Sequence, residues 1–210
     1  MIEFISDEIR KIFRNDSSGH DYWHSVRVYR NAMRIAEYEG GNTMVISLAA
    51  ILHDVDDRKL FETDDYENAR RIMTRAEVSE DIQNIVVTII GDVSFRGAES
   101  VVPSTLEGRI VQDADRLDAL GAIGIARTFA FGGSKGLDIY NPEEPPIYIE
   151  NSSDYIECRG NSLNHFYEKL FLLKDMMNTE TARKIAYKRD RYMHEYVDEF
   201  MNEWEGIKVE

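Results

Sequence analysis

Apolar residues recur at helical spacing through most of this chain. In residues 3–14, Ile5, Ile9, Ile12 and Phe13 share one face. In residues 21–39, Val26, Tyr29, Met33 and Ala36 form another, and Gly40-Gly41 stops the helix. Residues 43–54 are apolar nearly all round, the mark of a helix buried inside a core. Residues 65–76 carry Tyr66, Ala69, Ile72, Met73 and Ala76, and residues 79–90 carry Ile82, Ile85, Val86 and Ile89. After Pro103, Ser104 and Glu107 have the spacing of a capping box. They predict a helix through Ile110, Ala114 and Leu117 to about Gly121, with a continuation towards Phe129. Two long helices close the chain. One carries Leu163, Phe166, Leu170 and Leu173; the other carries Ala182, Ile185, Arg189, Met193, Tyr196, Phe200 and Trp204. The pattern predicts an all-α fold, with a core over residues 19–130 and an extra C-terminal helical part over residues 162–205.

Residues 132–161 break the pattern. They hold Pro142, Pro145 and Pro146, three of the four prolines, together with Gly132-Gly133 and Gly136. A stretch of this length without periodicity is read as a loop, and loops of this kind often serve as lids or binding loops.

Length and composition narrow the function. The 210 residues suit one domain, 1–210, burying roughly 70% of its unfolded surface, so no staple is needed for folding. Cys158 is the only cysteine, which rules out an intrachain disulfide and a cysteine zinc site. With no apolar leader and no run of about 20 apolar residues, the expected location is the cytoplasm, away from membranes. Lys and Arg number 25 against 39 Asp and Glu, a net charge of −14. Such a surface repels polyanions, so stable nucleic-acid binding is not expected. A small anionic substrate would need a local cation, from a metal or from clustered Lys and Arg.

Three features could supply one. His20 and His24 are spaced i, i+4, which would put them on one helix face. His53-Asp54 ends the most apolar helix. A charged carboxylate there needs a partner and sits at the unfavourable end of the helix dipole; a bound cation answers both objections. Asp113, Asp115 and Asp118 lie on the helix after Pro103. On its helical wheel Asp113 and Asp115 fall at opposite margins of the apolar stripe and Asp118 inside it, so periodicity does not select among them. Two imidazoles and two carboxylates suit one divalent transition metal (Mn, Fe, Ni, Co or Zn), with Mg as a further option.

These residues resemble the HD superfamily of phosphohydrolases, in its stand-alone single-domain branch, which includes nucleotide pyrophosphohydrolases. The matching pieces are Gly19-His-Asp-Tyr-Trp-His-Ser-Val-Arg-Val, Leu52-His-Asp-Val-Asp-Asp-Arg-Lys, Ser94-Phe-Arg-Gly-Ala-Glu, Ile110-Val-Gln-Asp-Ala-Asp-Arg-Leu-Asp-Ala-Leu-Gly-Ala-Ile-Gly-Ile-Ala-Arg, Phe131-Gly-Gly-Ser-Lys-Gly and Asn164-His-Phe-Tyr-Glu-Lys-Leu. The resemblance implies an HD-type helical bundle and names His24, His53, Asp54 and Asp115 as metal ligands, so it selects Asp115. It places His20 beside the metal and makes Asp57 the general base or water-orienting group. Arg58, Lys59 and Arg96 become candidates for neutralising phosphate charge, and Asp118, His165 and Lys169 for lining the substrate pocket. Arg27 is expected to order the metal-bearing helix. No histidine occurs between His53 and His165, which argues for one metal and against the two-metal cyclic-nucleotide phosphodiesterases.

The implied activity is metal-dependent hydrolysis of a small phosphorylated substrate, with nucleotides first: a nucleoside triphosphate cut to monophosphate and pyrophosphate, or a related phosphate ester. A metal-binding regulatory module without turnover and an HD-fold di-iron oxygenase are the alternatives. The C-terminal helices suit either a monomer or a homodimer.

Overall fold

A computed structural model describes residues 1–13, 21–57, 61, 63, 65–93, 101–147 and 160–206. The fold is all-α, and no strand occurs among the described residues. The helices are α1 (Ile2–Ile12), α2 (Tyr22–Glu39), α3 (Thr43–Leu52), α4 (Glu67–Arg75), α5 (Glu80–Val93), α6 (Leu106–Asp118) and α7 (Gly121–Lys135). A composite run, α8, joins a π-helical turn (Phe166–Leu170), Phe171–Leu173 and a 3₁₀ turn (Lys174–Met176). The last helix, α9, spans Glu180–Trp204. None of the helices is long and apolar enough to cross a membrane.

The helix ends follow from local chemistry. Asp21 caps α2 by accepting from the His24 N–H at 2.8 Å. Gly40, at φ +83°, ends that helix in a conformation that residues with a Cβ avoid. The Asn42 side chain accepts from Met44 and Val45 and starts α3. Helix α3 is the hub of the core: every residue from Val45 to Leu52 is buried, and it packs against α1, α2, α5 and α6. Burial of each large aliphatic side chain there is worth about 1.5–3 kcal/mol. Helix α2 lies against both α3 and α6, its most extensive contacts. That three-helix arrangement positions the site.

The structure departs from the sequence reading in four places. Thr105, not Ser104, caps α6, accepting from the Gly108 N–H at 3.1 Å. Glu107 instead accepts from the Asn42 N–H at 2.9 Å, so its carboxylate ties α6 to the start of α3 rather than closing a capping box. The continuation past Leu117 is a second helix: the chain breaks at Ala119–Leu120 and restarts at Gly121, at φ +75°, where a Cβ would come within 3.2 Å of the Arg189 side chain. Finally, α7 runs through Gly132-Gly133 to Lys135, so the irregular stretch begins at Gly136. Its described part is pinned to the α8 segment: Leu163 N–H donates to the Ile139 carbonyl, Asn164 Nδ2 to the Glu144 carbonyl, and Ile147 N–H to Glu168 Oε1. Residues 148–159, the rest of the expected lid, lie outside the described residues.

Candidate metal centre

Three elements bring four side chains together. His24 stands in the first turn of α2, held there by the Asp21 cap. His53 is the C-terminal cap of α3, and Asp54 follows it in a turn. Asp115 projects from α6. His24 Nε2 lies 3.1 Å from His53 Nε2, 3.3 Å from Asp54 Oδ2 and 3.4 Å from Asp115 Oδ1. His53 Nε2 lies 3.2 Å from Asp54 Oδ1 and 3.7 Å from Asp115 Oδ1. An ion with ligands at about 2.1 Å sets neighbouring ligand atoms roughly 3.0–3.4 Å apart, so the cluster has the dimensions of a metal site. His24, His53 and Asp115 form a possible metal site on geometry alone.

The far ring nitrogens strengthen that reading. His24 Nδ1 is 2.7 Å from Asp118 Oδ2, and His53 Nδ1 is 2.9 Å from the Ala50 carbonyl oxygen. Both partners accept, so each Nδ1 carries a proton, and in the neutral ring each Nε2 turns a lone pair inward. Two lone pairs facing each other at 3.1 Å beside two carboxylates repel unless a cation lies among them.

Protonation obeys the same logic. Burial alone would lower both imidazoles. Hydrogen bonds to Asp115, Asp118 and Asp54 outweigh it at His24, holding that ring well above the usual histidine value. The charge of Asp54 and a hydrogen bond to it outweigh burial at His53, which is also raised. Burial pushes the Asp115 carboxyl up, but the His24 hydrogen bond and the charges of His53 and His24 bring it below the ordinary value. The pocket thus favours positive charge at its centre.

The other expected residues scatter. Asp118 is only 2% exposed; it binds His24, Arg27 Nε at 2.7 Å and Arg127 Nη1 at 2.7 Å. Asp118, expected to line the substrate pocket, is bonded to the far nitrogen of His24, and its carboxyl is held well below the usual range, with burial outweighed by the His24 and Arg27 hydrogen bonds. Arg27, expected to order its helix, donates from Nε and Nη2 to the two Asp118 oxygens at 2.7 and 3.0 Å. Asp113 faces away from the cluster and accepts from Asn178 and Thr179 at the start of α9. Asp57 sits one turn after Asp54, its N–H donating to the Asp54 carbonyl at 3.1 Å. His165 and Lys169 lie at the π-helical turn of α8, where burial and the Lys169 charge lower the imidazole to about 3. His20, Arg58, Lys59 and Arg96 lie outside the described residues; α2 itself begins at Tyr22, after His20.

Arg127 was missed by sequence reasoning. Its signal was present as the last residue of the long piece that begins at Ile110. A cleft of about 320 Å³ opens beside it, lined among the described residues by Asp21, Arg27, Ile123, Ala126, Arg127, Ala130 and Phe131.

Residues 22–120, which carry all four cluster residues, match the HD domain model. The chain is 43% identical to an HD-superfamily hydrolase from Bacillus thuringiensis, with 97% of this chain and 96% of that one covered and a TM-score of 0.77. This chain belongs to the HD superfamily. A Lactobacillus plantarum protein of known structure is 39% identical, with 98% of this chain and 97% of that one covered and a TM-score of 0.85. Bacillus subtilis YpgQ, in its crystal structure in complex with ADP, is 34% identical, with 97% of this chain and all of that one covered and a TM-score of 0.75. Membership brings the expectation of a divalent metal and of hydrolase chemistry, and the His24–His53–Asp115 cluster is where this chain can meet it.

Proposed function

We propose that this protein is a metal-dependent phosphohydrolase acting on a nucleotide, with His24, His53, Asp54 and Asp115 holding one divalent transition metal. The observation that carries it is the pair of inward-turned Nε2 atoms beside two carboxylates, each ring locked from behind by Asp118 or Ala50. The bound metal supplies a Lewis acid that neutralises phosphate charge and makes water acidic enough to attack near neutral pH. Asp57, one turn beyond Asp54, accepts a proton from the attacking water. The new O–P bond forms as the opposite P–O bond breaks, and the leaving oxygen takes up a proton. The family resemblance assigns His20, Arg58, Lys59 and Arg96 to the substrate, the last three to its phosphates, and adds His165 and Lys169 as further substrate contacts. The ADP in the YpgQ complex supports a nucleotide as the ligand; the resemblance to nucleotide pyrophosphohydrolases favours a triphosphate cut to monophosphate and pyrophosphate.

The test is a screen. Metal-stripped protein is reloaded with Mn²⁺, Fe²⁺, Co²⁺, Ni²⁺, Zn²⁺ or Mg²⁺ and offered nucleotides and other phosphate esters. Turnover of a nucleoside triphosphate to monophosphate and pyrophosphate is the expected result. Bound metal with no turnover of any of these compounds would sink the proposal.

A further inference from the structure

The cleft beside Asp118 carries a pattern that holding a metal does not require. Arg27 and Arg127 both reach solvent there, with side chains 28% and 23% exposed. Their bonds to Asp118 take two of the five N–H groups on Arg27 and one of the five on Arg127. The remaining N–H groups of the two guanidiniums are donors for an anion, while Asp118 and Asp21 together balance their charge. Ile123, Arg127 and Phe131 are spaced i, i+4, i+8, so they form one stripe along α7. Ile123 and Phe131 are nearly half exposed, which places apolar surface on both sides of the arginine within one concavity. Asp21 stands in the same cleft, a carboxylate able to accept from a hydroxyl. Phosphate oxygens fit the guanidinium groups, a flat aromatic ring fits the apolar stripe, and a sugar hydroxyl fits Asp21. A nucleotide carries all three groups.

We infer that this cleft binds the nucleotide: Arg27 and Arg127 take phosphate oxygens, and the base lies against Phe131 and Ile123. The inference rests on the nucleotide reading above and gives it a location. Asp118 bonds both arginines and His24, so the cleft is linked to the metal centre through one buried carboxylate.

The experiment reads binding of ADP directly and then locates it. In calorimetric titrations Phe131→Ala and Arg127→Gln should each raise the ADP Kd about tenfold, the scale of one stacked base or one charge-assisted contact. Pyrophosphate, which lacks a base, should be weakened by Arg127→Gln alone. An azidoadenosine diphosphate photoprobe should label the tryptic peptide from Thr128 to Lys135 in the wild-type protein. Because Phe131 is nearly half exposed, its truncation leaves the fold intact, as circular dichroism would verify. An unchanged ADP Kd in Phe131→Ala, or label confined to other peptides, overturns the inference, as does wild-type protein that binds no ADP. Protein that binds ADP on α7 but hydrolyses no nucleotide keeps the cleft and sinks the hydrolase. Nucleotide hydrolysis with an unchanged KM in Phe131→Ala does the reverse.

Discussion

His24 joins two parts of the site. One nitrogen faces His53, Asp54 and Asp115; the other is tied to Asp118, which two arginines hold in turn. Removing a partner behind a metal-ligating histidine typically costs about 10–100-fold in metal affinity. Asp118→Asn should therefore weaken metal binding by about that factor while every ligand stays in place. A competition titration with a fluorescent chelator checks it, and undiminished affinity would remove Asp118 from its positioning role. Asp57→Asn should separate chemistry from binding: metal content stays at the wild-type level and turnover falls by about 100-fold or more. Full activity in that variant would pass the base role to another group. His165 gives a pH signature. Its value in the fold, about 3, lies below the ordinary 6.5. The unfolded chain therefore takes up a proton in that window before the folded one does, so this contribution to stability is complete above pH 6.5 and declines as pH falls towards 3. Urea melts at pH 7 and pH 5 should show a smaller loss of stability for His165→Asn than for wild type; equal losses would contradict the burial of that ring.

At the scale of elements, the acids of α6 divide the work by direction. Asp115 turns to the cluster, Asp118 to His24, and Asp113 to the start of α9, where it accepts from two backbone N–H groups, the Thr179 hydroxyl and the Asn178 amide. Asp113→Ala would strand those buried donors, so stability should fall by about 3 kcal/mol in denaturant melts with the metal still bound. Loss of metal in that variant would mean that Asp113, not only Asp115, serves the cluster. This division shows what local sequence holds and what it does not. The apolar run of α3 and the His53-Asp54 dyad at its end were legible, because burial on all faces writes itself into consecutive residues. A helical wheel could not rank the three acids, because the ranking depends on what α2 and α9 present to α6. Arg127 escaped for a similar reason: it meets Asp118 across the break at Ala119–Leu120, where periodicity carries no register from α6 into α7. Gly132-Gly133 read as a loop start, yet α7 runs on to Gly136, whose φ of +70° supplies the stop.

For the molecule as a whole, α2, α3 and α6 meet at the cluster, so a metal bound there joins three helices that also build the core. An ion that binds the folded chain alone should stabilise it by about 2.7 kcal/mol when its free concentration is 100 times Kd. The buried carboxylates and raised histidines become compatible with neutral pH once the ion replaces protons among them. The acidic surface outside the cluster sets a different limit. At a net charge of −14, an anionic substrate would be repelled except where a bound metal or guanidinium groups offset that charge.

The most direct measurement is metal stoichiometry by elemental analysis on the chelator-stripped and reloaded protein, wild type beside His53→Ala and Asp115→Ala. One transition-metal ion per wild-type chain is expected, with loss of that ion in both variants and their helical content retained. Two ions per wild-type chain, none at all, or full retention of metal in either variant would contradict the one-metal site.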